Sequence, residues 1–106
     1  MSDNARLVLC TCPDTETAER IASGLLEQRL AACVNILPAV RSLYRWEGKL
    51  EQAEEVQLFI KTTAPALSDL EQFIQQKHPY KVPEIIAIPV VAGLPAYLKW
   101  LEDACD

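Results

Sequence analysis

The apolar positions near the start of the chain indicate a strand followed by a helix. Residues 6–12 are a short apolar run that ends at Pro13-Asp14, which is typical of a buried strand. Asp14 can then cap a helix whose apolar residues share one face: Ala18, Ile21, Ala22, Leu25 and Leu26. Gly24 costs this helix about 1 kcal/mol relative to alanine, so we expect another element to pack closely against it.

The middle of the chain alternates between apolar and polar residues and predicts a long hairpin. Residues 31–37 and 40–46 indicate a strand that is interrupted at Pro38-Ala39. Because proline lacks an N–H donor, we expect a bulge or an edge position there. Glu47-Gly48-Lys49 is a turn signal, and residues 56–63 alternate again. The hairpin therefore extends from about residue 31 to 63.

The part of the chain after residue 63 predicts a helix, a strand and a last short helix. Pro65 lies near the start of the first of these helices, and Pro79 ends it. Residues 84–91 indicate a strand in which Pro89 marks an edge or a bulge, and Gly93 ends it. The last helix presents one apolar face, with Leu94, Tyr97, Leu98 and Leu101.

This order predicts an α+β, ferredoxin-like β-α-β-β-α-β sandwich with an extra C-terminal helix and a long hairpin between its second and third strands. We expect one domain over residues 1–106, with a core of about residues 6–103. Two helices cover only one face of such a sheet, so the other face and the aromatic hairpin predict a surface that a second subunit covers.

Composition excludes several classes of function. The net charge of −5 and the absence of a Lys/Arg run argue against nucleic-acid binding. No apolar run approaches the ~20 residues of a membrane helix, and the N-terminus has no signal-peptide pattern. We therefore expect a cytoplasmic protein, with Cys10, Cys12, Cys33 and Cys105 reduced.

The catalytic motifs that a sequence can reveal are missing. The chain has one histidine and three glycines, and no P-loop, Gly-x-Gly-x-x-Gly or Gly-x-Ser-x-Gly. No nucleophile–base pair can be named, so we predict that the protein is not an enzyme.

Two thiols and one imidazole are the candidate metal ligands. Cys10 and Cys12 are alternate strand residues on one side, and soft thiolates suit copper(I) and zinc. The alternative is a pair of small core residues. His78 follows a helix, where we expect an accessible ring, although an exposed imidazole is often only polar surface.

A lysine and several aromatic residues indicate a second candidate site. Lys61 lies in an apolar strand and requires a partner, for which Glu84 and Glu54 are candidates. We predict a ligand pocket at a subunit interface, and its residues are Tyr44, Trp46, Lys61, Tyr80 and Glu84. Ordinary core or interface packing is the alternative for these aromatic side chains.

Six segments carry a resemblance to a known family. They are L-C-T-C-P-D (9–14), L-A-A-C-V-N (30–35), S-L-Y-R-W-E-G-K-L (42–50), E-E-V-Q-L-F-I-K-T-T (54–63), H-P-Y-K-V-P-E (78–84) and Y-L-K-W-L (97–101). In this order and spacing, they resemble the CutA divalent-cation tolerance family over nearly the whole chain.

The resemblance implies a ferredoxin-like fold and a homotrimer similar to that of PII-type signalling proteins, with hairpins that pair between subunits. It also implies metal ligands at Cys10 and His78, while Lys77 stands where copper-binding members often have a second histidine. Cys12 is an additional thiol. We therefore expect no obligatory cofactor, and weak binding of copper or another divalent cation in a response to metal ions. The alternative is a PII-like sensor trimer that binds a small molecule between subunits.

Overall fold

Four strands and three α-helices make up the computed structural model, which describes residues 3–106. The elements are β1 (Ala5–Cys12), α1 (Thr15–Glu27), β2 (Cys33–Trp46), β3 (Lys49–Thr63), a 3₁₀ turn (Ala64–Ala66), α2 (Leu67–Lys77), β4 (Ile86–Pro89) and α3 (Pro95–Ala104). Asp14 caps α1 as predicted, since its side chain accepts a hydrogen bond from the Thr17 N–H. None of the helices within residues 3–106 is long and apolar enough to span a membrane.

The four strands form one antiparallel sheet in the order β2-β3-β1-β4. This arrangement confirms the predicted ferredoxin-like fold with its C-terminal helix. β4 is shorter than the predicted 84–91, because its pairing with β1 runs only from Leu9↔Ile86 to Arg6↔Pro89. One more hydrogen bond follows, from the Val90 N–H to the Ala5 carbonyl, and the chain then leaves the sheet.

The long hairpin is continuous through its predicted interruption. β2 and β3 pair from Cys33↔Lys61 to Trp46↔Lys49, with a bulge between Leu37 and Val40 in which Ala39 has a φ of 62°. Glu47 (φ 50°) and Gly48 (φ 80°) form the two-residue turn. Both residues have positive φ, as in the type I′ turns that match the twist of paired strands.

The main core lies between the sheet and the helices α1 and α2. Ile21 and Leu25 of α1 and Leu70 and Ile74 of α2 are fully buried against β1 and β3. Gly24 has the predicted close neighbour, because a Cβ atom added there would lie 2.2 Å from the Cζ atom of Phe73.

The opposite face of the sheet is less protected. Leu9 of β1 and Phe59 of β3, which alternate with the core residues, are only half-buried. Ile86 and Ile88 of the edge strand β4 are exposed. α3 packs at the beginning of β1, where Ala5, Leu98 and Leu101 form a small second core.

Candidate functional site

Two cysteines and one histidine meet beneath the sheet. Cys10 and Cys12 alternate along β1, so both thiols enter the core, and neither residue is accessible to solvent. His78 follows the last residue of α2 with a φ of −84° and a ψ of 136°, the extended conformation that Pro79 favours in the preceding residue. This bend brings its ring to β1, and one potential ligand atom from each of the three residues lies within 4.8 Å of the other two.

The imidazole is buried, so the prediction of an accessible ring is wrong. His78 is 7% exposed, and both of its ring nitrogens have partners. Nε2 lies 2.7 Å from the Thr11 carbonyl oxygen, to which only a protonated Nε2 can donate. Nδ1 accepts the Tyr80 N–H at 3.1 Å. These contacts define the neutral Nε2–H tautomer, in which neither nitrogen has a free lone pair for a metal.

The pKa values of the two thiols are shifted in opposite directions. The hydrogen bond with Cys12 and burial both raise the pKa of Cys10, and the nearby Glu84 and Glu55 carboxylates add to this effect. The same hydrogen bond lowers the pKa of Cys12. Cys10 therefore keeps its proton while Cys12 ionises more readily. The thiol and imidazole donor types suit a soft cation, but the hydrogen bonds of His78 oppose coordination.

A pocket of about 500 Å³ lies beside this cluster, at the junction of β2, β3 and the loop after α2. It is lined by Thr11, Ser42, Tyr44, Trp46, Glu55, Gln57, Tyr80, Lys81, Val82 and Glu84. Ser42, Tyr44 and Trp46 alternate along β2, which places them on the same side of the strand. Four of the five predicted pocket residues, Tyr44, Trp46, Tyr80 and Glu84, are therefore brought together.

Six of the ten lining residues were not predicted from the sequence, and Glu55 is the one among them whose side chain is nearly buried. Its side chain is only 7% exposed, and the Tyr80 hydroxyl donates to its Oε2 atom at 2.6 Å. Burial and this hydrogen bond raise the pKa of Tyr80, so the phenol stays protonated at neutral pH. Tyr80 also links the pocket to the thiol cluster, because its ring centroid lies 4.7 Å from that of His78.

Lys61 lies outside the pocket, and neither Glu84 nor Glu54 is its partner. Its ammonium group donates to Asn35 Oδ1 and lies 3.7 Å from Cys33 Sγ. The sheet explains both corrections. Cys33 is the register partner of Lys61, and Asn35 follows two residues later on the same side of β2. Glu54 is an odd number of residues from Lys61 and faces the other side, whereas Glu84 precedes β4, which β1 separates from β3.

Cys33 and Cys105 are apart from the buried pair. Both are half-buried, and all four cysteines are free thiols, as predicted. Lys77, next to the imidazole in sequence, is directed elsewhere, with its ammonium nitrogen 5.8 Å from the centroid of the Phe73 ring. Neither Cys33, Cys105 nor Lys77 belongs to the cluster of potential ligands.

Comparison with known proteins identifies the family. The model of the CutA1 divalent ion tolerance protein family matches residues 6–104. The divalent-cation tolerance protein CutA of Pectobacterium atrosepticum is 51% identical over 98 residues, which cover 92% of this chain and 89% of that protein.

Solved structures agree with this match. CutA from Xylella fastidiosa superposes with a TM-score of 0.95 at 46% identity, covering 99% of this chain and 100% of that one. The divalent cation tolerance protein of Thermus thermophilus gives 0.93 at 45% identity, covering 94% and 97%. The family consists of metal-tolerance proteins rather than enzymes, which confirms the prediction of a non-enzymatic protein. The chain belongs to the CutA1 divalent-ion tolerance family.

Proposed function

We propose that the protein is a homotrimeric divalent-cation tolerance protein that binds soft cations such as copper or zinc weakly at Cys10 and Cys12, with His78 as a conditional third ligand. The observation that carries this proposal is the convergence of the three side chains, whose potential ligand atoms lie within 4.8 Å of one another. Family membership supports the role in tolerance of divalent ions.

The surroundings of the cluster explain why the binding is weak. A thiol must lose its proton to become a ligand, and the raised pKa of Cys10 opposes this loss. His78 must give up its hydrogen bond to Thr11 or to Tyr80 before it can coordinate. A cation also has to enter a region in which Cys10 and Cys12 are fully buried.

Titration with cobalt(II), followed by competition with zinc(II), tests this part of the proposal under reducing conditions. Cobalt bound to thiolates gives a charge-transfer absorption band, so the spectrum reports the ligand type. The double variant Cys10→Ala/Cys12→Ala should lose the band, and the matched variant Cys33→Ala/Cys105→Ala should keep it. A band that survives in the first variant overturns the assignment, as does the absence of a band in the unmodified protein.

The trimer rests on surfaces that the single chain leaves open. Ile86 and Ile88 line an uncovered sheet edge, and Trp46, at the tip of the hairpin, is 50% exposed. Unpaired edges and large apolar patches are typical of surfaces that another subunit covers. The hairpin is long enough to reach beyond its own sheet, since β3 has fifteen residues and β4 only four.

Light scattering during size-exclusion chromatography should give three times the 11.8 kDa of one chain. Ile88→Lys should shift the population towards monomer, because it places a charge on the edge strand. Gln72→Lys makes a charge change on the exposed side of α2 and should leave the trimer intact. A monomeric unmodified protein contradicts the proposal.

The pocket supports a second function, that of a sensor that binds a small molecule between subunits. Its volume of about 500 Å³ is typical of small-molecule sites. Aromatic side chains and a few convergent polar groups form its lining, the combination that such sites usually show. A small molecule bound against Tyr44 and Trp46 in a crystal of the trimer would support this function, whereas a pocket filled by another subunit's side chains would contradict it.

A further inference from the structure

Glu55 brings a charge into the pocket without a cation to balance it. Its Oε2 atom accepts the Tyr80 hydroxyl, and within residues 3–106 it has no other hydrogen bond and no ion pair. No buried side-chain oxygen or nitrogen in this part of the chain lacks a partner, so Oε1 keeps access to solvent. Because burying an unpaired charge is costly, a ligand that brings a positive N–H donor to Oε1 would be stabilised there.

The walls of the pocket favour the same kind of ligand. Tyr44 and Trp46 project from β2 and are 43% and 50% exposed in the single chain, and Tyr80 lines the same cavity. The negative faces of aromatic rings attract cations that are poorly hydrated, and tryptophan does so best. Val82 adds apolar surface for the carbon skeleton of an organic molecule.

The charges and the potential metal-ligating groups of the pocket argue against two other classes of bound species, anions and hard metal ions. The pocket lining contains two carboxylates, Glu55 and Glu84, and one ammonium group, that of Lys81. Within the described residues, Lys81 forms no ion pair with either carboxylate. An anion would therefore meet excess negative charge. A hard metal ion prefers six or more oxygen ligands, and no group of three potential metal ligands in residues 3–106 includes Glu55 or Glu84.

We infer that the pocket binds a small organic ammonium ion, with its N–H groups at the Glu55 carboxylate and its carbon skeleton against Tyr44 and Trp46. This inference rests on the proposed small-molecule site and names the class of ligand. The inference does not require a cation at the thiols, because Glu55 lines the pocket and does not belong to the cluster of Cys10, Cys12 and His78.

Three probes of one size separate charge from shape: 2-phenylethylammonium, neutral 2-phenylethanol and anionic phenylacetate. Each is titrated into the full-length protein in its own oligomeric state, with calorimetry as the readout. We expect the ammonium ion to bind at least about ten-fold more tightly than the alcohol, and phenylacetate to bind more weakly still. Equal binding of the ammonium ion and the alcohol, or preference for phenylacetate, overturns the inference but leaves a small-molecule site; binding of none of the three overturns both.

Variants locate the binding. Glu55→Gln should weaken the binding of 2-phenylethylammonium by at least about ten-fold, because it removes the negative charge while it keeps an oxygen that can accept the Tyr80 hydroxyl. Glu54→Gln is the matched control, because it makes the same charge change at an exposed neighbour outside the pocket, and it should have no effect. Trp46→Leu tests the same pocket at an exposed position if the Glu55 variant does not fold, and it should weaken binding several-fold. Unchanged affinity in the folded Glu55 variant, or in the Trp46 variant, refutes the inference.

Discussion

Replacing Tyr80 by phenylalanine removes one oxygen atom and the hydrogen bond that it donates to Glu55 at 2.6 Å. The ring and its contact with His78 remain, so packing changes little. Glu55 is 7% exposed, and its carboxylate accepts no other hydrogen bond within residues 3–106. The variant therefore leaves a nearly buried carboxylate without a donor, and we expect the folded state to lose stability.

The size of the loss follows from the charge and the burial. Hydrogen bonds to charged groups contribute about 1.5–3 kcal/mol, and the loss of one partner exposes the desolvation cost of the other. Tyr80 is only partly buried, and solvent still reaches the Glu55 carboxylate, which places the expected loss near 2 kcal/mol. That corresponds to about a 30-fold change in the folding equilibrium.

Urea unfolding at pH 7 measures this change, at one fixed protein concentration because an oligomer's stability depends on it. Tyr97→Phe is the control: its hydroxyl makes no hydrogen bond within the described residues, so it should stay within about 0.5 kcal/mol of the unmodified protein. Together with Glu55→Ala, which removes the acceptor, and the double variant, Tyr80→Phe completes a cycle whose coupling we expect to exceed about 1 kcal/mol. A Tyr80 variant as stable as the control, or additive effects in the cycle, refutes the reasoning.

Two further predictions concern alkaline pH and helix packing. The pKa of Tyr80 is raised above its ordinary value of 10.0, so its stabilising effect is complete below about pH 10 and is lost as the pH rises through the folded-state pKa. The unmodified protein should therefore lose stability above about pH 10 more steeply than Tyr80→Phe in urea titrations across that range. Gly24→Ala should destabilise by about 1–3 kcal/mol, because its Cβ atom would meet the Phe73 ring at 2.2 Å, and adding Phe73→Leu should recover part of the loss. The exposed Ser23→Ala is the control; a stabilised Gly24 variant would show that the ring moves freely.

Local rules were sufficient for the fold. Proline, glycine and the alternation of apolar residues indicated the four strands and three α-helices, although not all of their bounds, and the bulge at Pro38-Ala39 is one of the two alternatives that the missing N–H of proline predicts. The length of β4 was not predictable in the same way. Residues 84–91 are apolar throughout, but the strand ends where its partner β1 ends, and that limit depends on the register between two distant segments.

The candidate site depended more on tertiary structure. Alternation placed Cys10 and Cys12 on one side of a strand, but only the bend at Pro79 shows that His78 returns to them. Glu55 was missed because the second strand of the hairpin was expected from residue 56, whereas β3 begins at Lys49 and includes it. The partner of Lys61 is set by the β2–β3 register, which the bulge shifts and sequence spacing does not reveal.

His78 connects the two proposed sites and makes their relation testable. Its Nδ1 atom accepts the Tyr80 N–H, while the Tyr80 hydroxyl holds the Glu55 carboxylate in the pocket. If a cation recruits Nδ1, Tyr80 loses that hydrogen bond, and ammonium binding should weaken when zinc is present. Thermodynamic linkage then requires the ammonium ion to weaken the binding of zinc by the same factor. If zinc binds only through Cys10 and Cys12, His78 keeps both hydrogen bonds and the two affinities should be independent. Titrating each ligand in the presence and absence of the other thus distinguishes a two-thiol site from one that includes the histidine.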